Sequence, residues 1–149
     1  NDIDSERMNY VAEKFDVDII SGDAIYDFDM DIYAPCALGS TLNPNTISRL
    51  ECSIVAGAAN NQLENEERDG QLLLEKGIMY APDFLINAGG LINVYSELKG
   101  FSKEQVKAKT EKIFDTTIAI LKKSKSENIS SQKAALKIAK ERVLNKYTT

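Results

Sequence analysis

"SIVAGAANNQ", residues 53–62, begins as an apolar run rich in β-branched side chains and stops on two adjacent amides, Asn60 and Asn61. Such a run is too short for a helix and has the make-up of a strand buried on both faces, the kind from which parallel sheets are built. The same texture recurs at residues 17–20, 32–34 and 78–81, each run bounded by Gly, Pro, Asp or Asn, so the spacing predicts four strands. Between the second and third lies "NPNTISRL", a short helical turn. Between the third and fourth lies "EERDGQLLLEKG", a helical crossover with Gly77 at its C-terminal end. Strands joined by such crossovers form a parallel sheet covered by helices, and the fold class is α/β.

Helices flank this core. Met8, Val11, Ala12 and Phe15 follow the i, i+3, i+4, i+7 pattern of a helix packed on one face, with Asp4 or Ser5 as its cap. After Asn87 the texture changes. "AGGLINVYSELKG" predicts a helix opened by two glycines, Ser102 caps a long helix to about residue 125, and a last helix follows Ser130 or Ser131. That last helix carries Ala134, Ala135, Ile138, Ala139 and Val143 on one stripe.

At 149 residues with 43% apolar and 28% charged residues, the chain can bury one core and reads as soluble and globular. No run approaches the roughly 20 apolar residues of a membrane span, and the N-terminus lacks a signal peptide's basic and apolar regions, so the expected compartment is cytoplasmic. Histidine is absent. That excludes Ser/His and Cys/His catalysis and histidine metal ligation, and no metal site is expected. Cys36 and Cys52 flank apolar stretches outside any CxxC spacing and are expected as buried free thiols. The net charge of −5 is uneven: residues 1–100 carry 18 acids and 6 bases, residues 101–149 carry 5 acids and 12 bases. The lysines of the tail interleave with Val106, Ile113, Phe114, Ile118 and Leu121 at helical spacing, which makes them the solvated faces of amphipathic helices. Without an aromatic platform or a recognition motif, no nucleic-acid partner is expected.

In an open parallel sheet, ligands bind in the crevice beyond the carboxyl ends of the strands. Three unusual segments fall there: "APCALG" (residues 34–39), "GAANNQ" (57–62) and "PDFLINAGG" (82–90). Small residues let a flat ligand approach the backbone, and an Asn side chain offers a donor and an acceptor. Two readings stand at this point: Asn60, Asn61 and Asn87 hold an amide-bearing heterocycle, or they cap loops, as asparagines often do.

"DIYAPCALGSTLN", "IVAGAANNQL", "KGIMYAPDFLINAGGLINV" and "ELKG", in that order, resemble the dinucleotide-binding domain of the glutamate, leucine, phenylalanine and valine dehydrogenases, closest to the leucine enzymes. The resemblance runs from Asp2 to about Phe114. It implies a Rossmann-like parallel sheet truncated at its N-terminus, with residues 1–100 a partial dinucleotide-binding domain and 101–149 a helical segment packing on it. It also implies NAD as cofactor. Asn60 is implied to bond the nicotinamide carboxamide, with Ala58 and Ala59 lining the ring's approach and Ala37, Leu38 and Gly39 along the ribose and adenosine. Asn87 is implied to face the substrate's amino-acid head group, and Leu91 and Val94 its side chain. Both are apolar, so a branched-chain or other apolar L-amino acid is favoured over glutamate, whose distal carboxylate would be buried unpaired. Asp2 resembles the acid at the end of the second strand that accepts bonds from the adenine ribose and selects NAD over NADP; it can equally be a terminal residue or helix cap.

No GxGxxG occurs in the chain, and the lysine and aspartate that do the family's proton chemistry belong to a separate N-terminal domain. The expectation is a truncated chain that binds NAD weakly and has no turnover alone, from an enzyme that oxidises an amino acid to its 2-oxo acid and ammonia as a homo-oligomer. The alternative is a non-catalytic Rossmann-like binding or assembly module. An NADP-type glutamate dehydrogenase is disfavoured by Val94 and Asp2.

Overall fold

The computed structural model describes residues 1–147. Three parallel strands, β1 (Ile32–Tyr33), β2 (Ile54–Val55) and β3 (Met79–Tyr80), lie in the order β1-β2-β3, with Tyr33 beside Val55 and Val55 beside Tyr80. Parallel bridges Asp29–Glu51 and Leu42–Leu63 continue the alignment to either side of the β1–β2 pair. Side chains alternate along each strand. Tyr33, Val55 and Tyr80 are buried with Leu42, Ile47, Leu50, Leu63, Leu73 and Ile78 in the main core. Ile32 and Met79 remain exposed and Ile54 is half-buried.

The crossovers form where local sequence stops and starts them. Helix α2 (Pro44–Arg49) opens with Pro at its first turn and a reciprocal capping box between Asn43 and Thr46. Helix α3 (Glu66–Glu75) is capped by Asn65, whose side chain accepts from Arg68 N at 2.9 Å, and the chain turns out of it through Gly77 at φ +76°. A one-turn helix, α4 (Asp83–Ile86), follows β3 directly and leads into α5 (Gly89–Lys99), which ends on left-handed Gly100. Ser102 and Gln105 cap α6 (Lys103–Glu127) with a second capping box, and α7 (Ser131–Tyr147) packs against it around Ile120, Ala134 and Ala135. Helix α7 also rests on α3 and β3, where Ser131 Oγ donates to Tyr80 O at 2.6 Å.

Several expectations need correction. Residues 17–20 form no strand: a strand exists only by pairing, and β1 pairs with β2 alone among the described residues. Helix α1 (Ser5–Lys14) forms as its pattern and its Asp4 cap demand, yet it buries no residue, and Val11 and Phe15 face solvent. Both cysteines are free; Cys36 is exposed because the loop after β1 turns its small residues outward, and Cys52, just before β2, is half-buried at the margin of the main core. The apolar stripes of the terminal helices are covered where α6 meets α7, α4 and α5; Phe114, Ala139 and Val143 lie outside those contacts and are exposed. Among the described residues no helix is long and apolar enough to cross a membrane, and no cluster of potential metal ligands occurs.

Candidate functional site

The three segments singled out in the sequence converge at the carboxyl ends of β1, β2 and β3. Gly57 is obligatory there: a Cβ at that position would lie 2.1 Å from Pro35 O and 2.5 Å from Pro35 N, backbone that cannot move aside. The close approach lets Ala59 N donate to Pro35 O at 3.0 Å. One turn further out, a Cβ on Gly39 would meet Asn60 O at 2.8 Å, and Ser40 N donates to Asn61 O at 2.7 Å. Asn61 (φ +51°) and Ser40 (φ +58°) both adopt left-handed backbone at this junction, a conformation asparagine tolerates better than most residues.

The Asn87 side chain, at the C-cap of α4, reaches across to this loop and donates through Nδ2 to Asn60 Oδ1 at 2.6 Å. The two amides that 27 residues separate in sequence are thus one hydrogen-bonded pair. Among the described residues, Asn60 Nδ2 and Asn87 Oδ1 have no hydrogen bond within the chain, so the pair presents one donor and one acceptor outward. A donor and an acceptor side by side suit ligands that carry both kinds of group.

Beneath the pair lies a buried polar frame that the sequence reading missed. Gln62, fully buried, donates through Nε2 to Gly57 O at 2.7 Å and Ala59 O at 2.9 Å. Its own N–H donates to Asp83 Oδ2 at 3.0 Å, while Asp83 Oδ1 accepts from Phe84 N at 2.7 Å. Asp83 N donates to the Tyr80 hydroxyl at 3.3 Å; burial, and then the neighbouring Asp83 charge, push that phenol well above its ordinary pKa and keep it protonated. Gln62 Oε1 is buried without a partner, an arrangement that costs on the order of 1–3 kcal/mol. The only sequence signals for this frame were a glutamine where "NNQL" re-enters an apolar run and an aspartate directly after Pro82.

A cleft of about 170 Å³ opens beside Asn60, lined also by Asn61, Glu66, Asp83, Phe84 and Gln132; Asn87 does not line it. A larger hollow of about 570 Å³ between α3, β3 and α6 is lined by Leu73, Leu74, Met79, Ile118 and Leu121, lacks any amide pair and shares with the cleft only Tyr80, at the end of β3. The structure brings Gly39, Ala58, Ala59, Asn60 and Asn87 together. Ala37 and Leu38 stand exposed on the same loop as Gly39, and Leu91 and Val94 are exposed one turn apart on α5, which begins just after Asn87. Asp2 is not joined to them by any contact among the described residues. Its hydrogen bonds are to Asp4 and Met8, and the Asp4 N–H, foremost, holds its carboxyl below the usual range.

The profile of the Glutamate/Leucine/Phenylalanine/Valine dehydrogenase family matches residues 2–149. L-Tryptophan dehydrogenase of Nostoc punctiforme is 45% identical over 145 residues, covering 97% of this chain and 41% of that protein. Leucine dehydrogenase of Thermoactinomyces intermedius is 47% identical over 142 residues, covering 95% of this chain and 38% of that protein. The chain therefore spans about two fifths of the length of these relatives. The crystal structure of the Nostoc tryptophan enzyme superposes with a TM-score of 0.93 over 99% of this chain at 44% identity. A hetero-hexameric glutamate dehydrogenase from Thermus thermophilus, at 21% identity and a TM-score of 0.68, shares the fold.

Proposed function

This chain belongs to the glutamate/leucine/phenylalanine/valine dehydrogenase family, and we propose that it is the part that holds NAD in an enzyme converting an apolar L-amino acid to its 2-oxo acid and ammonia. The observation that carries this reading is the Asn87–Asn60 bond of 2.6 Å, with one outward donor and one outward acceptor at the strand ends. Asn60 binds the carboxamide of the nicotinamide ring, Ala58 and Ala59 keep the ring's approach clear, and Ala37, Leu38 and Gly39 lie along the ribose and adenosine. Asn87 orients Asn60 and meets the substrate's head group. Leu91 and Val94 contact its side chain; relatives named for leucine, tryptophan and phenylalanine support an apolar class rather than one amino acid. Asp2 selects NAD through the adenine ribose. The bound cofactor supplies hydride transfer, and this chain's share is to orient it. Proton handling is assigned to residues outside the chain, so the 149 residues alone show no turnover. The complete protein is read as a cytoplasmic homo-oligomer.

Calorimetric titration with NAD and with ADP-ribose, which lacks the nicotinamide, tests the reading. Wild type is expected to prefer NAD, and Asn60→Ala to lose roughly tenfold of that preference, the weight of about one good hydrogen bond. Equal affinity of wild type for the two ligands would contradict it. So would amino-acid-dependent NADH production by the isolated chain, for the inactivity assigned to it.

A further inference from the structure

We propose that Gln62 and Asp83 are positioning residues that set the Asn60–Asn87 pair through hydrogen bonds to the loop and helix that carry it. The role rests on the function proposed above, whereas the geometry does not. Asn60 sits at the end of an irregular loop, and a loop by itself does not hold a side chain to within a few tenths of an ångström. Gln62 removes that freedom from below. Two carbonyls flank its amide, Gly57 O and Ala59 O, so the nitrogen must be the atom that faces them and the loop is clamped one residue before Asn60.

Asp83 then joins the clamp to the other half of the pair. One of its carboxylate oxygens accepts the Gln62 N–H and the other accepts Phe84 N, at the first turn of the same helix whose C-cap is Asn87. The route from Asn60 to Asn87 therefore runs through two bonds of Gln62, two of Asp83 and a single helical turn. Tyr80 backs it: its hydroxyl meets Asp83 N and its carbonyl is held by Ser131 Oγ. The unpartnered Gln62 Oε1 fits this role, since an apolar residue of the same size would fill the space without an orphaned acceptor but would leave both loop carbonyls unheld.

The test uses the side-chain amide NMR signals of this chain. Gln62→Met keeps the volume and removes both donors. The two Asn87 Nδ2 protons, displaced in wild type by their bond to Asn60, are expected to return to the pair of shifts of a free asparagine side chain, while signals from α7 beyond Lys137 stay in place. Asp83→Asn, whose single oxygen cannot accept from both the Gln62 and the Phe84 N–H, is expected to do the same, and it decides the question by the same signals should Gln62→Met fail to fold. Retention of the wild-type Asn87 signals in a folded variant would overturn the proposal. In parallel, the ratio of NAD to ADP-ribose affinity is expected to fall about tenfold in either variant with ADP-ribose binding unchanged; a proportional loss for both ligands would mark a merely structural role. A wild type that does not prefer NAD, combined with Asn87 signals that respond to Gln62→Met, would remove the function and leave the positioning intact.

Discussion

Residues 1–21 and residues 57–87 obey the same local rules and end in opposite conditions. The first stretch contains a capped amphipathic helix and an apolar run of strand composition, yet among its residues none is buried, and Ile3, Val11, Phe15 and Val17 face solvent. The second contains α3, a capped helix of the same ten residues' length as α1, with loops, a one-turn helix and a two-residue strand, and here Gln62, Leu73 and, beside it, Val55 are wholly or almost wholly buried. Regular structure is thus no measure of how firmly a segment is held. Partners are, because the free energy comes from the surface and hydrogen bonds that neighbours complete.

The sharpest way to break that contrast is Gly57→Ala. One methyl group must displace Pro35 backbone, and the expected loss is about 3 kcal/mol, at the upper end for overpacking, read as a lowered midpoint in urea. A midpoint within error of wild type would show that the strand-end loops part freely and are not the firmly held region. A smaller effect is expected at the α6–α7 junction. Lys123 and then Lys137 hold the Glu127 carboxyl at about 2, below its ordinary 4.5. A lowered folded-state pKa adds stability that is present above the unfolded value and is lost as the pH falls through the folded one. The wild-type melting temperature should therefore fall more steeply than that of Glu127→Gln between about pH 4.5 and about pH 2, and parallel curves would show that these ion pairs do not tie the two helices together. The least effect is expected in the first region: Val11→Ser should leave stability within about 0.5 kcal/mol of wild type, and a larger loss would mean that α1 has packing partners.

The same contrast explains what could be read in the sequence. Helices were legible because their signals are local: Asp4 and Ser102 mark starts, and Gly77 marks an end. Residues 17–20 were misread because strand composition says that a segment can pair and not that a neighbour is there. Phe114 and Val143 continue stripes whose covered part ends earlier, a boundary set by where two helices cross. Asn60 and Asn87 could be found because small residues recur at three strand ends and asparagines at two of them. Gln62 and Asp83 could not, since their role consists of bonds to backbone atoms and to each other across 21 residues of chain.

The most direct test of the central claim, that strand-end loops present a paired amide to a nicotinamide carboxamide, is an NMR titration of this chain with NAD, following side-chain and backbone amides together. Asn60, Asn87 and Ala58 are expected to shift together while α7 beyond Lys137 stays in place. Saturating shifts confined to other residues, or none at Asn60 and Asn87, would contradict the claim.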